Sequence, residues 1–319
     1  MKCTAMFVIV LVVLSAGLLA CTTQPATTGQ VVVKTPAAQP VAQIQKHATT
    51  EITIKGSDTL LQLVSNLAEA YSAKDPLVKI SVTGGGSGTG IAALLNDEIR
   101  IATSSRLMKD EEYATAKQKG ISISQVMIAR DMLSVIVHKD NPVQQLTMDQ
   151  ISKIYKGDIT NWKAVGGMDK KITLYGRQSS SGTYAFFMED VVKSDYSQNM
   201  RNMEGNQAIV DAVRQDTTGI GYVGLGYAAD ENGQQVSGIH VIKVAKTSTD
   251  PYLSPLDPTK HDTYPVSRSL NLYVTKDAAK AFLLFSLSAE GQQIAQKAGF
   301  IPLSHEDIRK NVAVVESLG

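Results

Sequence analysis

Three times in this chain a strand-like segment runs into a turn of serine, threonine and glycine and then into a helix-like stripe. The first turn, Gly56-Ser57-Asp58-Thr59-Leu60, follows the alternating Glu51-Ile52-Thr53-Ile54-Lys55. It precedes Leu60, Leu63, Val64, Leu67 and Tyr71 at helical spacing. The second, Gly84 through Gly90, follows Val78-Lys79-Ile80-Ser81-Val82 and opens a helix through Ile91–Leu95. The third, Arg177-Gln178-Ser179-Ser180-Ser181-Gly182-Thr183, lies between a strand at Ile172–Tyr175 and a helix at Tyr184–Val192. Further strands are expected at Ile220–Val223, Ile239–Val244 and Leu270–Val274. Further helices are expected at Asp149–Tyr155, Gln207–Val213 and Ala278–Leu287. Such a series restricts the fold to α/β, most simply two open sheets covered by helices.

The turns also carry a chemistry. A helix start presents unpaired N–H groups and about half a positive charge. Glycines let an anion approach the backbone, and hydroxyls add donors without charge. Capping alone accounts for any one such turn; their recurrence points to an anion seat. A fourth segment, Thr103-Ser104-Ser105-Arg106, has the same composition and precedes a helix-like Asp110–Lys119. Gly84–Gly90 lacks the Lys-Ser/Thr of a phosphate loop and the spacing of a dinucleotide fingerprint. Ser87 is not a hydrolase elbow either, because Thr89 stands where the second glycine belongs.

Charge and cysteine usage narrow the class. Residues 51–319 hold 28 basic and 30 acidic side chains, without the basic stripe a nucleic-acid binder shows. The two cysteines, Cys3 and Cys21, lie near the N-terminus, and the histidines show no ligand spacing, so no metal site and no cofactor are expected. No nucleophile–base pair is apparent, and Trp162 reads as a packing anchor. Lys2 followed by the apolar Met6–Leu14 and then Leu18-Leu19-Ala20-Cys21 reads as a leader over residues 1–20. Its end resembles a lipobox, in which cleavage exposes Cys21 for acylation; the alternative is an ordinary signal peptide or an uncleaved anchor with an incidental cysteine. Residues 21–50, rich in Thr, Ala, Gln and Pro, read as a flexible tether.

In this order, the turns resemble the substrate-binding lipoprotein of the phosphate ABC transporter, the phosphate-specific transport (PstS) family. The likeness extends to Gly157-Asp158-Ile159-Thr160-Asn161-Trp162, Gly219-Ile220-Gly221-Tyr222-Val223 and Gly299-Phe300-Ile301-Pro302-Leu303. Its most specific piece is Arg177 through Thr183. The resemblance implies a two-lobed type II periplasmic-binding-protein fold with a hinge between lobes. One lobe would span about residues 51–130 with 245–319, and the other 131–244.

The resemblance further implies an extracytoplasmic, non-enzymatic phosphate binder. It would be a monomer held to the bilayer through acylated Cys21, with permease subunits as partners and no nucleic acid. Thr59 and the backbone at Leu60 would meet one phosphate oxygen, and Ser87 with Gly88 another. Arg177, Ser181, Gly182 and Thr183 would complete the shell. Ser57 and Thr89 in the same turns, and Ser105 with Arg106 in the fourth segment, are counted among the phosphate-binding residues as well. Better-known members carry an aspartate where this chain has Arg106. Asp58 is therefore expected either to accept a hydrogen bond from a protonated phosphate oxygen, selecting phosphate over sulfate with Arg106 as its charge partner or as a second phosphate donor, or only to cap a helix. Rival readings keep the scaffold for sulfate, molybdate or tungstate, make the seats a phosphatase, or leave a sensor or adhesion module.

Overall fold

The structure, a computed structural model, describes residues 49–230, 232–275 and 279–318. The leader, Cys21 and nearly all of the tether lie outside the described residues. Alternation of Ile52 and Ile54 with polar neighbours makes β1 (Thr50–Gly56), whose apolar members are buried. It pairs in parallel with β2 (Val78–Thr83) and β3 (Ile101–Ser104). Helices α1 (Leu61–Lys74) and α2 (Ser87–Leu95) bury Leu63, Val64 and Leu67, and Ile91 and Leu94. α3 (Asp110–Gln118) opens with three acidic residues, matched to the positive end of its dipole.

Next come β4 (Ile123–His138), β5 (Gln145–Thr147), α4 (Met148–Lys156), β6 (Thr173–Arg177) and α5 (Gly182–Phe186). They are followed by β7 (Arg201–Met203), α6 (Asn206–Gln215), β8 (Gly219–Gly224) and α7 (Leu225–Ala228). β9 (Ile239–Val241), β10 (Lys243–Ala245) and β11 (Ser267–Thr275) lead to α8 (Lys280–Leu287), α9 (Ala289–Lys297) and α10 (His305–Glu316). Thr147 and Gln150 form a reciprocal capping box at the start of α4. The helix expected over 184–192 divides into α5 and a π-helical turn at Phe187–Val192.

β4 organises the molecule. Its first part pairs antiparallel with β11, from Ile123 to Met132, and its last part with β8, from Leu133 to Val137. The two sheets expected from the sequence therefore share one strand, in the order β2-β1-β3-β11-β4-β8-β6-β7, with β9 also on β4. Two cores flank this strand. One gathers Ile54, Leu63, Ala129, Leu270 and Phe282. The other gathers Met132, Leu133, Trp162, Phe187, Tyr222 and Val266. The chain thus passes between cores twice, at 129–132 and at 266–270. Trp162 is fully buried and donates to Thr218 O at 2.9 Å, as a packing anchor should.

The return crossing lies later than residue 245. β10 pairs with β5, and Leu253, Leu256 and Tyr264 all pack into the second core. Tyr264 donates to Leu133 O at 3.1 Å, and Leu133 N donates to Val266 O at 2.8 Å. Residues 245–266 have little regular structure, so their side chains, not their periodicity, assign them to a core.

Candidate functional site

Six hydroxyls meet between the cores: Ser57, Thr59, Ser87, Ser105, Ser181 and Thr183 are all 3% exposed or less. Local turn chemistry places them. Gly86, at φ +99°, ends the turn before α2, and a Cβ there would collide with Ser180 O from the facing lobe. Gly182 opens α5 so close to Ser87 and Ser105 that a Cβ would overlap Ser87 Oγ. Ser181 caps α5, accepting from Thr183 N at 3.1 Å and Tyr184 N at 3.4 Å.

The hydroxyls form two linked groups. Ser57 Oγ donates to Ser105 Oγ at 3.0 Å, and Ser87 Oγ accepts from Ser105 N at 3.1 Å. Thr59 Oγ1 lies 2.9 Å from Thr183 Oγ1, one threonine from each lobe. Across the same gap, Gly88 N donates to Ser180 O at 3.0 Å.

Arg177 and Asp58 also meet here. Arg177 Nη2 donates to Asp58 Oδ2 at 2.5 Å and to Glu204 O at 2.9 Å. Its Nε and Nη1 are buried without a hydrogen-bond partner. A buried donor left unpaired costs about 1–3 kcal/mol, more when charged, so these N–H groups favour any anion that reaches them. A parallel two-bond grip on either edge of a guanidinium uses Nη2. Here Asp58 and Glu204 hold that nitrogen, so Nε or Nη1 meets an incoming oxygen singly unless Asp58 yields. Behind Arg177, Tyr222 stacks on Phe187 at 4.0 Å and its hydroxyl accepts Arg177 N–H at 3.2 Å. Burial pushes the Tyr222 phenol up to about 12, so the support stays neutral.

Asp58 does not cap α1, whose N-cap is Leu60 without a side-chain bond. Its Oδ1 instead accepts Gly85 N at 2.8 Å, tying the first two turns together. Arg106 is elsewhere. Its guanidinium grips Glu112 through two bonds, at 2.8 and 2.7 Å, and donates to Leu107 O at 2.8 Å. Arg106 is therefore neither the partner of Asp58 nor a donor in the cluster; the adjacent α3 carboxylate captures it. Burial would push the Glu112 carboxyl up, but the bonds from Arg106 and Lys109 N outweigh it and hold that carboxyl below its usual range. Thr89 Oγ1 turns back to Gly85 O at 2.8 Å, and Leu60 packs into the first core with its N–H on Ser57 O.

Sequence reasoning missed Asp131 on β4 and Arg268 on β11. They are cross-strand neighbours, 0% and 7% exposed. Arg268 Nε and Nη2 donate to Asp131 Oδ2 at 3.0 and 2.7 Å. The available signal was the pair Arg130-Asp131 inside the otherwise mostly apolar run Val126–Val137, where burial makes an unpaired carboxylate costly. The cluster thus contains two arginines and two aspartates, balanced in formal charge. Among the described residues, no three or more of His, Cys, Asp and Glu gather as a metal site would require.

Known proteins share this arrangement of elements. A PBP superfamily domain model matches residues 37–290. The phosphate-binding protein PstS of Pseudomonas aeruginosa is 35% identical over 270 residues, covering 78% of this chain and 81% of its own length. The PstS of Staphylococcus haemolyticus is 32% identical over 256 residues, covering 77% and 79%. A substrate-binding protein assigned to a phosphate ABC transporter of Clostridium perfringens was solved with bound phosphate. It superposes with a TM-score of 0.70 at 30% identity, over 80% of this chain and all of that one. With a family model over most of its length and relatives of this identity and coverage, the chain belongs to the PBP superfamily and, within it, to the PstS family of phosphate-binding proteins.

Proposed function

We propose that the protein captures inorganic phosphate outside the cytoplasm and delivers it to an ABC-type permease, catalysing no reaction. The observation that carries this reading is the pairing of Arg177, with its unpartnered Nε and Nη1, with six buried hydroxyls from both lobes. Hydrogen bonds to a charged group contribute roughly 1.5–3 kcal/mol net each. A few such bonds give tight binding without a basic surface. The lobes would close on the ion by changing φ/ψ at a few residues in the crossings near 129–132 and 266–270.

Asp58 supplies selectivity in this reading. A carboxylate repels a fully ionised oxyanion but accepts a hydrogen bond from a protonated phosphate oxygen. Sulfate carries no such proton at neutral pH. The leader and Cys21 would hold the protein at the membrane through an acyl chain. No helix among the described residues is long and apolar enough to cross a bilayer.

Titration calorimetry with phosphate, arsenate, sulfate and molybdate tests the reading. Phosphate and arsenate should bind, and sulfate and molybdate should bind far more weakly. Preference for sulfate or molybdate would move the assignment to another oxyanion, and no binding at all would remove it. For the anchor, Cys21→Ser should shift the protein from the membrane to the soluble fraction.

A further inference from the structure

We infer that Arg268, held by Asp131, is a positioning residue that turns Thr59 and Thr183 into donors toward the bound anion. The inference rests on the phosphate reading above and adds to it a residue that never touches phosphate.

An arginine has five N–H donors, and each of Arg268's has an acceptor. Nε and one Nη2 hydrogen go to Asp131 Oδ2. Nη1 reaches Ser105 O at 3.2 Å and Thr183 Oγ1 at 3.0 Å, and Nη2 reaches Thr59 Oγ1 at 3.4 Å. The guanidinium also lies 5.4 Å from the Phe186 ring centroid. No N–H remains for a ligand, so Arg268 acts through the groups it touches.

Those groups are two hydroxyls, each with one proton and two lone pairs. An anion only accepts. A buried threonine that gives its proton to an anion needs another group to satisfy its oxygen, and Arg268 does this for both threonines at once. Left to themselves, the two hydroxyls, 2.9 Å apart, satisfy each other and waste one proton between them. With Arg268 donating to both, each proton is free to turn to an oxyanion.

The position of the pair links this effect to lobe closure. Asp131 lies on β4 between Ala129 of the first core and Met132 of the second. Arg268 faces it across the β4–β11 ladder. From there it reaches Ser105 and Thr59 of one lobe and Thr183 of the other, while Asp131 Oδ1 accepts Leu225 N at 3.1 Å. The two threonines become oriented together only when both lobes sit against this ion pair.

The test is phosphate calorimetry on wild type, Arg268→Lys, Thr183→Val and the double variant, with melting temperatures as a folding check. Lysine keeps a cation for Asp131 but loses the fork that reaches both threonines. Arg268→Lys should fold and bind phosphate about tenfold more weakly. Thr183→Val should weaken binding about tenfold in wild type and less than about twofold in the Arg268→Lys background, because the hydroxyl is no longer oriented there. If Arg268→Lys does not fold, Asp131→Asn with Arg268→Gln removes both buried charges together and takes its place with the same expectations. Binding within about twofold of wild type, or losses that multiply independently, would overturn the inference alone. A wild type that gives no heat with phosphate would overturn the phosphate reading and this inference with it.

Discussion

Two arginines flank the buried hydroxyls, Arg268 bonded to Thr59 and Thr183 and Arg177 to the Asp58 between Ser57 and Thr59, and they differ in what they have left to give. Arg268 is saturated, with every N–H on a protein acceptor. Arg177 is held through Nη2 alone, and its Nε and Nη1 face no acceptor. Each is paired with an aspartate, so charge alone does not separate them. The hydrogen-bond inventory does: the saturated guanidinium has no N–H left for a ligand, and the unsaturated one does. The aspartates divide in the same way. Asp131 is fully buried between β-strands, whereas Asp58 retains 17% side-chain exposure in a turn.

The largest expected effect follows from the unsaturated member. Arg177→Ala should weaken phosphate binding by about 10- to 150-fold, the equivalent of losing roughly 1.5–3 kcal/mol of charge-assisted bonding. A loss below about threefold by calorimetry would remove Arg177 as a phosphate contact and the comparison with it.

Asp58→Asn sharpens the division between the aspartates. It keeps the shape of the carboxylate and an oxygen for Gly85 N, but it lowers the acceptor strength offered to a protonated oxygen and removes the charge that repels sulfate. The phosphate-to-sulfate preference should fall by about tenfold, read by competition calorimetry. An unchanged ratio would confine Asp58 to tying turns together.

A smaller effect comes from the third ion pair, Arg106–Glu112, outside the cluster. Glu112→Gln should leave phosphate affinity within about twofold while costing about 1–2 kcal/mol of stability at neutral pH. The sign follows from the depressed folded pKa of Glu112. Its contribution is fully present above the unfolded carboxylate value of about 4.3 and is lost as pH falls through the lower folded value. The melting-temperature gap between wild type and variant should therefore narrow in acid. A gap that widens in acid would contradict the assignment.

Legible in the sequence were the parts of the candidate site that local turn chemistry builds. Gly56 to Leu60, Ser87, and Arg177 to Thr183 are short segments whose glycines and hydroxyls announce a strand-to-helix turn, and the structure brings these turns together. Arg268 and Asp131 could not be read in that way. Arg268 is the one charge of β11 and Asp131 follows Arg130 on β4, and only the antiparallel register of the two strands, 137 residues apart in the chain at this pair, sets them opposite each other. β4 itself went unrecognised because it is buried on both faces through its second half, where no alternation marks a strand. Arg106 illustrates the opposite failure. Its composition matched the seats, but Glu112 in the first turn of α3 offered a nearer carboxylate.

The central claim is that donors from both lobes surround one tetrahedral anion, with Arg177 touching it and Arg268 standing behind. A crystal structure of the protein with phosphate tests this most directly. The account predicts phosphate oxygens within about 3 Å of Thr59, Ser87, Thr183 and an Arg177 nitrogen, with the Arg268 guanidinium still on Asp131 and both threonines. Phosphate bound at Arg106, or bound directly by Arg268 with its threonine bonds broken, would contradict it.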